Sequence, residues 1–296
     1  MPAWLTGILT CLLVLINTLI GIGPMLLLGI IKALIPLPWV RRETSRAIMW
    51  IANNWAEINK AIFAWLTPTR WDIRCDAPLY RDHSYLVICN HQSWVDIPAL
   101  VQALNYKVPY YKFFLKKELI WVPFLGLAFW ALDYPFMKRY SKAHLEKHPE
   151  DKGKDLEITR RACEKFDGIP VTVVNYLEGT RFTPAKHAAQ ASPYHHLLKP
   201  KSGGMAFAMA ALGEQMKSLL DVTIVYPGKQ PPGFWQLVSG QVSEVIVDIQ
   251  GRDVPVELFY GDYANDPEFR QHFQDWVQAL WQAKDERIAE LRQELS

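Results

Sequence analysis

No charged side chain occurs before Lys32, and from Trp4 to Ile31 the chain reads WLTGILTCLLVLINTLIGIGPMLLLGII. An uncharged apolar run this long exceeds the roughly 20 residues that cross a bilayer, so the chain must place a long apolar segment before it can fold anything else. A straight helix of that length would reach about 42 Å against a hydrocarbon core of about 30 Å. Tilt or a break is therefore expected, and Gly21, Gly23 and Pro24 offer the break. Two arrangements stay open: one kinked span, or two short helices that dip into one leaflet and return. A cleaved signal peptide is not expected, because a basic leading region is missing and no small-residue cleavage site follows the run. If the segment spans, Lys32, Arg41, Arg42 and Arg46 just beyond it place the rest of the chain in the cytoplasm.

Beyond that anchor, assigned to residues 1–46, the pattern changes. Residues 48–66 set Ile51, Trp55, Ile58, Ile62 and Trp65 three or four apart, as in an amphipathic helix that packs on the domain or lies in the membrane interface. Short apolar runs follow: SYLVIC (84–89), DYPFM (133–137), IPVTVVNY (169–176), VTIVY (222–226) and VSEVIVDI (242–249). Helical patterns separate most of them. This alternation predicts an α/β domain over 47–296 with a mixed, largely parallel sheet flanked by helices, attached to an N-terminal hydrophobic membrane helix or helical hairpin. LIWVPFLGLAFWAL (119–132) reads as a core or re-entrant helix, and Asp266-Pro267 opens a C-terminal helix. A chain 50% hydrophobic can build a large core, and its net charge of +2 implies no nucleic-acid partner. Four scattered cysteines suggest reduced thiols, and His144 and His148 lack a third ligand, so no metal is expected.

NHQSWVDIPAL (90–100) begins where the run SYLVIC ends. Within one helix, positions five apart differ by about 140° around the axis, so His91 and Asp96 meet only if His91 precedes the helix. Ser93 with Asp96 three residues later resembles a capping box, which starts the helix near Ser93. A first-turn acid explains Asp96 without catalysis, but leaves His91 unexplained at a strand end, where α/β sheets place their sites. A neighbouring carboxylate can fix the imidazole tautomer and keep it a usable base near neutral pH. NYLEGTRFT (175–183) also follows an apolar run. There Gly179 permits a tight turn that presents Glu178 and Arg181, and Arg suits a phosphate or carboxylate. Lys138 and Arg139 after the strand-like DYPFM, Lys116 and Lys117 before the apolar stretch ending at Leu132, and Lys201 at a helix start add cations. The chain has no G-x-S-x-G elbow, P-loop or H-E-x-x-H motif.

These blocks in this order resemble the glycerolipid acyltransferase family of lysophosphatidic acid acyltransferase type. Its H-x-x-x-x-D matches His91 to Asp96, and its E-G-T-R matches Glu178, Gly179, Thr180 and Arg181. Its K-K-x-L-x-W-x-P-F-x-G run matches Lys116 to Gly126, its arginine after a short strand falls on Arg139, and its proline block falls on Pro227. The wording around FLKKELIWVPFLGLAFWALDYPFMKRYS is similar to the longer bacterial inner-membrane subgroup of YihG type. Leu177 in place of a proline, and DYPFMK before Arg139, are departures that bear on donor and acceptor preference.

The resemblance implies acyl transfer from acyl-coenzyme A or acyl carrier protein, as co-substrate, to a lysophospholipid, with no cofactor. His91 would be the base and Asp96 its support. Lys117, Arg139, Glu178, Gly179, Thr180, Arg181 and Lys201 would bind substrate, with backbone amides at the helix start holding the oxyanion. It also implies a bacterial inner-membrane location with the catalytic domain on the cytoplasmic side. Two alternatives stay open: a different lysolipid acceptor, or a catalytically silent lysolipid-binding protein.

Overall fold

The computed structural model describes residues 1–113, 115–122, 125–134, 136–137, 169–213, 216–228 and 230–295. Arg139, His144 and His148 lie outside the described residues. The chain begins with α1 (Ala3–Leu34), α2 (Pro38–Leu66), β1 (Arg70–Cys75), β2 (Ser84–Cys89), α3 (Asp96–Leu104), β3 (Tyr111–Phe113) and β4 (Leu115–Lys116). A 3-10 turn (Lys117–Trp121), α4 (Leu125–Ala131) and β5 (Phe136–Met137) follow. Then come β6 (Thr172–Tyr176), α5 (Pro184–Gln190), α6 (Ser202–Leu212), β7 (Met216–Val225), α7 (Phe234–Val238), β8 (Glu244–Arg252) and α8 (Pro267–Glu294).

The main sheet is six-stranded in the order β1-β8-β7-β2-β6-β3. Only the β7–β8 pair in it is antiparallel, so the expected mixed, largely parallel sheet is present. β2 lies in the middle and is buried along its whole length, which is why SYLVIC is a continuous apolar run and not an alternating one. Its Tyr85, Val87 and Cys89 pack with α2 and α3, while Leu86 and Ile88 pack with α6 and α8. Asp266 caps α8 by accepting from the amides of Glu268 and Phe269. DYPFM contributes only Phe136–Met137, paired with β4 in a separate two-stranded sheet.

Four expectations change. α1 continues through Pro24, held in line by the buried Ile22 and Met25 on either side, and the chain reverses instead at residues 35–37. α2 starts at Pro38, a residue suited to the first helical position, so the boundary expected at 46/47 falls inside a helix. α2 buries Ile48, Ala52, Ala56 and Phe63, leaving Ile58 and Trp65 of the expected stripe exposed. The apolar stretch 119–132 is divided between the 3-10 turn and the short α4, as expected where Pro123 interrupts it. Gly126 sits where a Cβ would lie 2.0 Å from the Ile120 carbonyl oxygen, which accounts for glycine at this motif position.

α1 is long and apolar enough to cross a bilayer, yet it lies lengthwise against the domain. Gly7 near its start lets the Trp235 ring approach within contact, and Gly29 near its end does the same for Trp130. Between them Asn17 donates to Trp55 O (3.0 Å) and Asn59 Oδ1 (2.9 Å). Apart from Ile22 and Met25, the buried face of α1 is small or polar (Thr6, Gly7, Thr10, Asn17, Gly29), while Ile8, Leu12, Leu15, Leu19, Ile20 and Leu27 point outward. Small and polar residues on the packed side with large apolar ones outside is the pattern seen where helices pack within lipid. Replacing Asn17 by alanine leaves the buried Asn59 oxygen without that donor. A loss of about 1–3 kcal/mol is expected, read as a lower unfolding midpoint of the detergent-solubilised protein than that of Ser192→Ala, which removes one hydrogen bond instead of two.

Candidate active site

β2, β6 and β7 are parallel neighbours with β2 between the other two. Their carboxyl ends therefore lie side by side, bringing together the segments that follow them: Asn90–Asp96, Leu177–Arg181 and Tyr226–Pro227. Asn90 fixes the junction. Its side chain donates to Ile224 O and accepts from Ile224 N, both at 2.9 Å.

His91 precedes the helix, as its spacing to Asp96 requires, and α3 begins at Asp96. His91 Nδ1 lies 2.7 Å from Asp96 Oδ2. The same oxygen accepts from the amides of Gln92 (2.7 Å) and Ser93 (2.9 Å), while Oδ1 accepts from the Tyr226 hydroxyl (2.5 Å). One half of the expected capping box thus forms, from the Ser93 amide to the acid three residues on. The other half does not: Ser93 Oγ donates to Pro232 O and accepts from Val95 N (3.0 Å). Asp96 is fully buried, whereas the His91 side chain keeps 18% of its surface. With Nδ1–H directed at the carboxylate, Nε2 is the nitrogen left with a lone pair. The ring stacks on Tyr176 at 4.1 Å between centroids, and Phe113 lies parallel to Tyr176 at 5.9 Å. Burial, reinforced by the Asp96 charge, pushes the Tyr226 hydroxyl well above its ordinary range and keeps it a donor.

Glu178 departs from the expectation of a substrate contact. It is fully buried, and its two oxygens accept from the amides of His91 (2.8 Å) and Leu198 (3.0 Å). Burial pushes its carboxyl up to about 8, against the two amide donors. The turn is made possible by Gly179 at φ +66°, and the Phe182 amide donates back to His91 O (2.7 Å). Arg181 is exposed and sits 4.6 Å above the Trp94 ring, so the two loops present a cation beside His91. Thr180 Oγ1 accepts from Lys186 (2.7 Å). Lys117 opens the 3-10 turn after β4. Lys201 precedes α6, its amide donating to Leu177 O (2.7 Å), and borders a cavity of about 610 Å³ against Tyr263 and Gln274.

Tyr226, Tyr176 and Trp94 were not singled out by sequence reasoning. Only Trp94, inside the histidine motif, carried a local signal; the other two are tied to His91 and Asp96 by sheet order alone. The amides of Gln92, Ser93 and Val95 are already engaged, so they do not supply the oxyanion donors expected at the helix start. Cys89 is fully buried and its thiol pushed well up by burial, which unfits it as a nucleophile. No group of three or more His, Cys, Asp or Glu among the described residues is placed to hold a metal ion.

Residues 71–227 match the family described as Acyltransferase. The chain belongs to that family. Relatives of this acyltransferase chain include 1-acyl-sn-glycerol-3-phosphate acyltransferase 3 of Arabidopsis thaliana, 25% identical over 81% of this chain and 61% of its own length. The human 1-acyl-sn-glycerol-3-phosphate acyltransferase gamma is 30% identical over 59% of this chain and 44% of its own. A yeast 2-acyl-1-lysophosphatidylinositol acyltransferase is 25% identical over 68% and 59%. The chain therefore spans 44–61% of the length of these relatives. The crystal structure of the 1-acyl-sn-glycerophosphate acyltransferase PlsC from Thermotoga maritima shares the fold, with a TM-score of 0.51 and 18% identity over 94% of this chain and 97% of that one.

Two outcomes follow from these bonds. Tyr226→Phe withdraws a donor from the buried Asp96 carboxylate, so a loss of about 1–3 kcal/mol of stability is expected. The thermal unfolding midpoint reads it; an unchanged midpoint would mean that the hydroxyl contributes nothing to holding Asp96. Glu178 has an ordinary value of 4.5 and a folded value of about 8, so its contribution to stability is complete below pH 4.5 and lost as pH rises through about 8. Wild type therefore loses unfolding midpoint relative to Glu178→Gln between about pH 5 and pH 9; parallel curves would mean an ionised carboxylate throughout.

Proposed function

We propose that this chain transfers a fatty acyl group from a thioester, on coenzyme A or acyl carrier protein, to the free hydroxyl of lysophosphatidic acid, giving phosphatidic acid. The observation that carries the reading is the His91–Asp96 pair at the end of the central strand, with Nδ1 engaged and 18% of the His91 side chain exposed. The relatives named as 1-acyl-sn-glycerol-3-phosphate acyltransferases supply the acceptor class. The acceptor hydroxyl gives its proton to Nε2 as its oxygen attacks the thioester carbonyl. The carbon–sulfur bond then breaks, and the departing thiolate takes the proton back. Asp96 holds the ring and stabilises the imidazolium between these steps. Glu178 positions the His91 backbone, and Arg181, steadied on Trp94, meets the acceptor's phosphate with Lys117 and Arg139. The yeast relative's name favours a second reading, in which another lysolipid is the acceptor.

We place the reaction at a membrane surface. α1 touches the domain near both ends, at Trp235 and at Trp130, so it suits a position along one leaflet better than a crossing. Trp4, Trp39, Trp50 and Trp65 are exposed on the helix pair, and tryptophan favours the lipid interface. The thioester donors and the basic residues after α1 favour the cytoplasmic side of a bacterial inner membrane, and the sequence around Lys116–Gly126 favours the YihG-type subgroup.

With oleoyl-coenzyme A and lysophosphatidic acid, the detergent-purified protein is expected to form phosphatidic acid, and His91→Ala to be slower by about 10²–10⁴-fold at an unchanged unfolding midpoint. Equal rates would remove His91 from the reaction. Tight lysolipid binding without turnover by any donor would make the chain a binding protein.

A further inference from the structure

At the end of the molecule away from His91, the last turn of α1, the first turns of α2, and α4 enclose a cavity of about 640 Å³. Lys32, Arg41, Arg42 and Ser45 form its polar side, with Trp130 and Phe136 opposite. Ile169, just before β6, also borders it, which puts the cavity at the amino ends of the strands, whereas His91 follows a carboxyl end. Along α1 the separation from Gly7, beside Trp235, to Lys32 is about 38 Å at 1.5 Å per residue. The cavity therefore lies at the other end of the strands from the turn that carries His91.

We propose that this cavity binds the phosphate of an anionic membrane phospholipid that is not a substrate. The reading stands whether or not the chain transfers acyl groups. Two carboxylates face four cations here. Asp133 is paired with Lys32 at 2.7 Å, and Glu43 is shared by Arg42 (3.1 Å) and Arg46 (2.8 Å), while Arg41 adds a further positive charge at the cavity wall. Lys32 also donates to Ala131 O (2.6 Å), so its ammonium is fixed in place with 11% of the side chain exposed. The guanidinium groups of Arg41 and Arg42 are exposed and suited to paired hydrogen bonds with phosphate oxygens.

A soluble anion would need only this charge. The surrounding surface adds a second feature: Ile30, Leu34, Leu37 and Trp39 are all exposed large apolar side chains on the same hinge. Acyl chains are the ligand part that such a surface suits, and a tryptophan there suits the headgroup level. A phosphate joined to acyl chains satisfies both features at once. Bound there, the lipid would pin the hinge between α1 and α2 to an anionic leaflet and leave the catalytic end free for exchange.

The test is vesicle flotation of the full chain on phosphatidylcholine alone and on phosphatidylcholine with phosphatidylglycerol. Wild type is expected to bind the anionic vesicles more tightly. Arg41→Gln/Arg42→Gln should lose about tenfold or more on them, at roughly 1 kcal/mol per basic group, and Arg41→Lys/Arg42→Lys should retain most of the preference. Ser45→Phe keeps every charge but fills the cavity, and should lose the preference as well. Equal unfolding midpoints establish that the variants are folded. Full preference in Ser45→Phe would overturn the cavity in favour of diffuse surface charge, and full preference in the glutamine pair would overturn the site altogether. Displacement by millimolar inorganic phosphate would make the ligand a soluble anion.

Discussion

One buried carboxylate organises the turn that follows the central strand. Asp96 has no exposed surface, and an ion in such a place is tolerable only when its oxygens are fully met. Two backbone amides, a phenol and an imidazole meet them. Each donor comes at the expense of another structure: the amides of Gln92 and Ser93 are spent on a side chain instead of a ladder, and α3 is delayed until Asp96 itself. The result is a histidine held just outside a helix, on a turn that its own partner has folded.

The sheet makes this possible by order, not by proximity in sequence. Because β2 sits between β6 and β7, the turn it feeds can be gripped from both sides. Glu178 reaches it from one side through the His91 amide, and Tyr226 from the other through Asp96. Glu178 and Asp96 are thus two buried acids with related tasks, each closing backbone amides that the tight turns would otherwise strand.

The parts of this arrangement written locally were legible in the sequence. SYLVIC and VTIVY are apolar because their strands are covered on both faces, and Asp266 announces α8 because a cap is a local bond. The six-residue span from His91 to Asp96 could be solved by helical geometry alone. β1 was overlooked: RWDIRC is a half-buried strand at the sheet edge whose polar–apolar alternation, with Trp71 and Ile73 packed on the core, is a strand signal, but the run is short and carries three charged residues. β3 is three residues long, too short for any period. Tyr226 escaped because its partner is 130 positions away, and Glu178 was misplaced because a motif shows that an acid is needed without showing which way it points. Pro24 marked a plausible break, but the contacts of α1 on either side outweigh one lost helical hydrogen bond.

Trp235 belongs to the loop and helix that follow β7, and so does Pro232, whose carbonyl takes the Ser93 hydroxyl. The indole ring rests on Gly7 in the second turn of α1. The apolar helix and the turn that carries His91 thus lean on a single bracket, four residues from end to end. A sideways push on the first has a short, stiff route to the second, so any load on the outer face of α1 bears mechanically on the geometry of His91.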